Sequence, residues 1–341
     1  MNEIRHDWSL EEISNLYHLA LLELVYLAAS VHKIHAGFGE VQISSLVSIK
    51  TGGCPEDCGY CPQAARYQTG LEAKSLMSLE EVIGLAESAK NAGASRLCMG
   101  AAWREVRDNR DFDRVLEMVS AVNELGLEVC CTLGMLTESQ ASRLAEAGVY
   151  AYNHNIDTSE QDYSRIIHTR KFEDRLETLK NVRKTKMTLC SGGIIGLGET
   201  EEDRISMIQT LANLPQHPES VPINALVRVK GTPLENQEPL KSFEMIRMIA
   251  TVRVIMPDSV VRLSAGRTEM SDFEQALCFL AGANSIFIGE KLLTTPNPEI
   301  EKDLALLSCL GLKPRIPFKP KNKPNNKSNN NLPEENYSIA N

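Results

Sequence analysis

Eight short apolar, β-branched-rich runs, each followed by a longer stretch with apolar residues at helical spacing, constrain this 341-residue chain more than any other feature. The runs fall at 44–49, 95–100, 127–133, 149–156, 187–195, 221–229, 259–264 and 284–288. Short strands alternating with helices bury their apolar faces best around a parallel sheet. Ala-Gly-Ala and Ala-Gly-Val turns at 92–94, 147–149 and 281–283 end helices just before a strand, where a glycine tolerates the left-handed turn of a helix terminus. The pattern predicts an α/β fold, a (β/α)8 TIM-type barrel over residues 41–312, rather than an open doubly wound sheet.

Residues 1–40 read as an N-terminal helical extension. Ser9 and Glu12 have capping-box spacing, and Ile13, Leu16, Tyr17, Ala20, Leu21 and Leu24 follow at helical intervals. Residues 313–341 are rich in Asn, Lys and Pro with little to bury, which predicts a disordered tail.

A formal charge of −9 argues against a nucleic-acid binder, which needs clustered Lys and Arg to displace counterions. The apolar stretch 19–31 carries Glu23 and is too short and too polar to span a bilayer. The expected setting is cytoplasmic, without membrane or nucleic-acid partners. Nine cysteines in a reducing compartment point to metal or catalysis rather than disulfides.

The strongest local signal is Cys54-Pro-Glu-Asp-Cys58-Gly-Tyr-Cys61, preceded by Gly52-Gly53 and placed just beyond the first predicted strand. Three thiolates at this spacing can wrap one face of a 4Fe-4S cluster, for which thiolate is the soft ligand required. Three ligands leave one iron open to chelate a substrate amine and carboxylate, as S-adenosylmethionine offers. A structural zinc site would ask for a fourth Cys or His nearby, and none follows closely.

Cys98, Cys130, Cys131 and Cys190 lie on predicted strands, where alternate residues face the barrel interior. Cys130 and Cys131 must face opposite sides, so at most one joins an internal site with the others. Cys278 and Cys309 fall on predicted helices and read as packing residues. Polar residues gather at predicted strand ends: Asn153, Asn155 and Asp157 after the fourth, Asn224 on the sixth and Arg262 on the seventh. Barrel active sites occupy that rim. The run Gly192-Gly193-Ile194-Ile195-Gly196-Leu197-Gly198 matches no phosphate-loop spacing. It reads instead as a flexible stretch that lets backbone approach a bulky ligand.

Taken together, these segments resemble the biotin synthase family of radical S-adenosylmethionine enzymes. The resemblance runs from Gln42 to Thr295 and rests on 48–58, Cys98-Met-Gly-Ala-Ala-Trp103, Tyr152-Asn-His-Asn-Ile-Asp-Thr158, Cys190-Ser-Gly-Gly193, 261–267 and Lys291-Leu-Leu-Thr-Thr295. It implies a 4Fe-4S cluster on Cys54, Cys58 and Cys61, and an inner 2Fe-2S cluster on Cys98, Cys130, Cys190 and Arg262. Tyr60, Asn155, Asp157 and Arg175 would contact S-adenosylmethionine; Lys50, Asn155, Asn224, Thr294 and Thr295 would face dethiobiotin. The implied activity is that of a radical sulfurtransferase: insertion of sulfur between saturated carbons of dethiobiotin, with the inner cluster as donor. Implied partners are an electron donor such as flavodoxin and a second copy in a homodimer. Gly59 and Glu290 depart from residues that some relatives carry, and neither is an expected ligand.

Overall fold

The computed structural model describes residues 4–241 and 243–317. Two helices precede the barrel: α1 (Leu10–Tyr17) and α2 (Leu21–His35). The Ser9–Glu12 capping box forms as expected, and the helical extension consists of two helices. The axis turns by 111° after Tyr17, where the Arg247 guanidinium takes the carbonyls of Tyr17 and Leu19. The barrel side chain therefore claims acceptors that would otherwise continue the helix.

The barrel follows as β1 (Glu40–Lys50), α3 (Leu79–Asn91), β2 (Arg96–Ala101), α4 (Arg110–Glu124), β3 (Glu128–Thr132), α5 (Glu138–Ala147), β4 (Ala151–Asn153), α6 (Glu160–Ile166) and α7 (Phe172–Arg183). It continues with β5 (Thr188–Cys190), β6 (Gly193–Ile195), α8 (Glu201–Ala212), β7 (Ser220–Ala225), α9 (Glu244–Ile255), β8 (Val260–Leu263), α10 (Asp272–Leu280), β9 (Ser285–Ile288), α11 (Ile300–Cys309) and β10 (Lys313–Pro314). β5 and β6 form one interrupted stave, every pairing is parallel, and β1 pairs with both β2 and β9, so eight staves close into a TIM-type barrel. α1 packs on α8 and α2 on α9, outside the helical ring.

Two glycines sit between β5 and Ile194 because nothing larger fits. A Cβ on Gly192 would lie 2.0 Å from the Pro222 carbonyl oxygen, and one on Gly193 would lie 2.0 Å from Met207 Sδ. The expectation of a flexible loop approaching a ligand is thus corrected for these two glycines: Gly192 closes on β7 and Gly193 on α8. The fourth strand is shorter than expected because the polar run from Asn155 leaves the sheet, reaching positive φ at Asp157.

Lys313 and Pro314 pair with Glu40 and Val41, so the start of the expected tail is a short strand beneath the barrel. The remainder, 318–341, lies outside the described residues. Cys278 is buried as expected of a packing residue; Cys309 is exposed on α11 and is not one. Among the described residues no single helix is long and apolar enough to cross a membrane.

Candidate active site

All staves are parallel, so the loops after their C-terminal ends gather at one mouth. The cysteine loop leaves β1 there, turning through Gly52 and Gly53 at positive φ. Cys54 N–H donates to the Gln63 carbonyl at 2.9 Å and Cys61 N–H to the Cys58 carbonyl at 2.9 Å, which folds the loop back on itself. Lys50 braces it from below, with its ammonium on the carbonyls of Gly52 and Ala102. Burial pushes all three thiols up, Cys61 to about 12, with the neighbouring Cys58 adding to it. A metal group must therefore displace protons to bind here.

Arg170 offsets the charge those thiolates would carry. Its guanidinium lies 3.8 Å from Cys58 Sγ and 3.9 Å from the buried Glu56 carboxylate. Three thiols on one short loop, with a buried guanidinium beside them to offset their charge, are a donor set that fits an iron-sulfur cluster.

Below the loop opens a cavity of about 330 Å³ that runs into the barrel. Cys54, Cys58 and Cys61 line its outer part, Cys98, Cys130 and Arg262 its inner part. Cys98 and Cys130 are register partners across β2 and β3, and they share a small apolar cluster with Ala151, Phe287 and Leu292 inside the barrel. Cys131 packs outward in the main core. The parity that sequence left open is decided by the pleat. Cys190 joins from β5: Asn153 Nδ2 donates to its sulfur at 3.2 Å and Arg262 Nη1 lies 4.0 Å away.

Arg262 is fully buried, held by Ser285 Oγ at 2.9 Å, Gln42 Oε1 at 3.1 Å and Ser44 Oγ at 3.3 Å, with its guanidinium 4.4 Å above the Phe287 ring. No carboxylate neutralises it in these contacts, which suits a neighbour of thiolates. The hydrogen bond from Cys130, aided by Arg262 and Arg96, lowers the Cys98 thiol while Cys130 is raised.

Between the two thiol sets stands a polar wall. Asp157 accepts from Tyr60 at 2.9 Å and pairs with Arg175, which donates to Tyr163 at 2.9 Å. Burial and the adjacent Asp157 push the Tyr60 hydroxyl well up, so it remains a donor. Asn155 accepts from the Gly192 amide at 3.2 Å, and Asn224 donates to the Gly193 carbonyl at 3.0 Å. Thr294 and Thr295, from the loop after β9, face the same cavity. Of the residues expected at the site, Cys190 is not among those lining the cavity, and Lys50 points into an adjoining hollow beside Gly53 and Pro55. Sequence reasoning missed Arg170 and His154, which lines the cavity with Nε2 unpartnered and its pKa driven well down by burial.

Residues 48–211 match the Radical SAM superfamily and 222–313 the Biotin and Thiamin Synthesis associated domain. The chain is 60% identical to a biotin synthase of Christiangramia forsetii over 94% of its own length and 88% of that protein's. It is 60% identical to that of Cytophaga hutchinsonii, covering 94% and 95%, and 58% identical to that of Myxococcus xanthus, covering 92% and 91%.

The chain belongs to the biotin synthase family.

The chain shares its fold with more distant proteins. Methylornithine synthase superposes with a TM-score of 0.77 at 19% identity, covering 90% of this chain and 94% of that one. The FeFe-hydrogenase maturase HydG from Carboxydothermus hydrogenoformans gives 0.78 at 15%, covering 91% and 76%. These two likenesses bear on the barrel alone.

Proposed function

We propose that the chain converts dethiobiotin to biotin as a radical S-adenosylmethionine sulfurtransferase. The observation that carries this is one cavity walled by two separate thiol sets, Cys54, Cys58 and Cys61 at the mouth and Cys98 and Cys130 with Arg262 within, where Cys190 lies 4.0 Å from the Arg262 guanidinium. The saturated carbons of dethiobiotin have no acidic hydrogen, so acid-base groups cannot begin the reaction. When bound, a 4Fe-4S cluster supplies the electron that splits S-adenosylmethionine into methionine and a 5'-deoxyadenosyl radical, and a 2Fe-2S cluster supplies the sulfur.

The protein's own part is to hold, align and enclose. Cys54, Cys58 and Cys61 would hold the outer group, and Cys98, Cys130, Cys190 and Arg262 the inner one. Tyr60, Asn155, Asp157 and Arg175 form the wall on which S-adenosylmethionine would lie, its ribose hydroxyls facing the Asp157 carboxylate. Asn155, Asn224, Thr294 and Thr295 would face dethiobiotin and offer it neutral hydrogen bonds, with Lys50 bracing the cysteine loop nearby. Packed β-barrel walls exclude water, and fixed alignment makes each transfer effectively unimolecular.

The reading also takes 1–40 as a helical extension to the catalytic barrel of 41–312. It includes an electron donor such as flavodoxin and a homodimer on the family resemblance, and a cytoplasmic setting on the sequence's lack of a bilayer-length apolar stretch. The test is anaerobic reconstitution, Mössbauer spectra and turnover with dethiobiotin. Two spectrally distinct clusters and biotin formation support it; a single cluster with no biotin overturns it in favour of another radical reaction.

A further inference from the structure

The inner thiols are not the bottom of the barrel. Cys98, Cys130, Cys190 and Arg262 each have a residue two positions earlier on the same strand: Arg96, Glu128, Thr188 and Val260. Residues two apart on a strand point the same way, so these form the next inward layer, about 6.6 Å nearer the N-terminal end. That layer roofs a second cavity of about 390 Å³, lined by Arg96, Tyr150, Thr188, Ser220, Val260 and Arg315. Nothing in the chemistry proposed above uses it.

Two hydrogen-bond donors in this cavity are unspent. Arg96 is 3% exposed; its Nε and Nη2 go to Glu128, both at 2.8 Å, while Nη1 has no partner. Ser220, 4% exposed, leaves its Oγ without one. Buried donors are rarely left unmade without reason. The charges around them select the guest. The Arg96 cation is already matched by Glu128, and Glu40, Glu219 and Asp258 stand among the lining residues. Multiply charged oxyanions would meet these carboxylates in a partly desolvated space. A small acceptor carrying a single charge meets a smaller repulsion, which the Arg96 and Arg315 cations of the same lining offset.

We propose that this floor cavity binds hydrosulfide between Arg96 Nη1 and Ser220 Oγ, one layer beneath the inner thiols, as the inlet for inorganic sulfide to the inner cluster. The inference rests on the two-cluster reading, because without an inner cluster the inlet has no destination. It covers binding and passage only. Entry from below leaves the mouth free for S-adenosylmethionine and dethiobiotin. Lys313 and Pro314 pair with Glu40 and Val41, and the Arg315 amide donates to the Val41 carbonyl, which brings the C-terminal segment across the floor.

Bromide, a monovalent anion of similar size, serves as the direct probe in anomalous diffraction from crystals of the unsubstituted protein. A peak within hydrogen-bond reach of Arg96 Nη1 and Ser220 Oγ is expected; water alone there overturns the proposal. The kinetic arm loads the apo full-length chain anaerobically with iron salts and sodium hydrosulfide at graded concentrations. Ser220→Ala should slow inner-cluster growth about fivefold at low hydrosulfide, the worth of one net hydrogen bond, and less at saturation. Val260→Phe, which fills the cavity, should slow it at every concentration.

In both variants the outer cluster, read as 5'-deoxyadenosine formed without dethiobiotin, should load at the unsubstituted rate and report folding. Unchanged inner growth in both variants would show that sulfide enters from the mouth. If unsubstituted protein never builds an inner cluster while the outer one loads, the two-cluster reading itself has failed, a result distinct from an idle floor cavity.

Discussion

Cys98 and Cys130 are register partners on β2 and β3, and both are buried in one small cluster inside the barrel. Their outward neighbour Cys131 belongs to the main apolar core. Cys130→Ala is therefore expected to abolish the inner cluster, whereas Cys131→Ala should leave it intact and cost about 1 kcal/mol of stability, as a small core truncation does. Iron and sulfide counting with absorption spectra, beside a denaturant titration of each variant, checks both halves.

Asp157 holds Arg175 and Tyr60 together, with both members of the ion pair buried. Asp157→Asn keeps the shape, and Asn tolerates the positive φ of this position. It leaves the guanidinium without its counter-charge, so a loss of about 3 kcal/mol is expected. The measurement is the thermal midpoint, paired with the affinity for S-adenosylmethionine, which should fall as well. An unchanged midpoint would contradict the pairing.

Gly192→Ala should prevent the β5 and β6 stave from packing. Its Cβ would collide with the Pro222 carbonyl, a backbone group that cannot rotate aside. Soluble yield and circular dichroism should show loss of the fold or several kcal/mol of destabilisation. Near-normal stability would mean that the staves can separate there.

Acid should weaken the fold between about pH 6.5 and pH 4. Burial holds His32 down at about 4 and His154 also well below the ordinary value of 6.5. In that range the unfolded chain binds protons that the folded chain refuses. Stability is thus fully present above 6.5 and declines as pH falls. A denaturant titration at several pH values should show this slope, and His32→Leu should flatten it.

Much of the architecture was legible because it follows from local rules. The Ser9 and Glu12 pair forms its capping box, and each of the eight apolar runs becomes a stave. Sequence placed Cys54, Cys58 and Cys61 together because three ligands share one short loop. It did not show which of Cys130 and Cys131 faces inward, since parity depends on where the strand begins. Arg170 was invisible: it lies more than a hundred residues from Cys58, and only the loop before α7 brings it there. Lys50 was expected to face substrate, yet its ammonium caps the carbonyls of Gly52 and Ala102, a tertiary arrangement with no sequence signature. The α1 to α2 bend was missed for the same reason, because Arg247 causes it from the far side of the chain.

The most direct test of the account is the yield of 5'-deoxyadenosine from S-adenosylmethionine under anaerobic reduction, compared among the unsubstituted protein, Cys54→Ala and Cys98→Ala. Cleavage should vanish in Cys54→Ala and persist in Cys98→Ala, while biotin forms in neither. Full cleavage by Cys54→Ala would contradict the claim that the loop after β1 is where S-adenosylmethionine is broken.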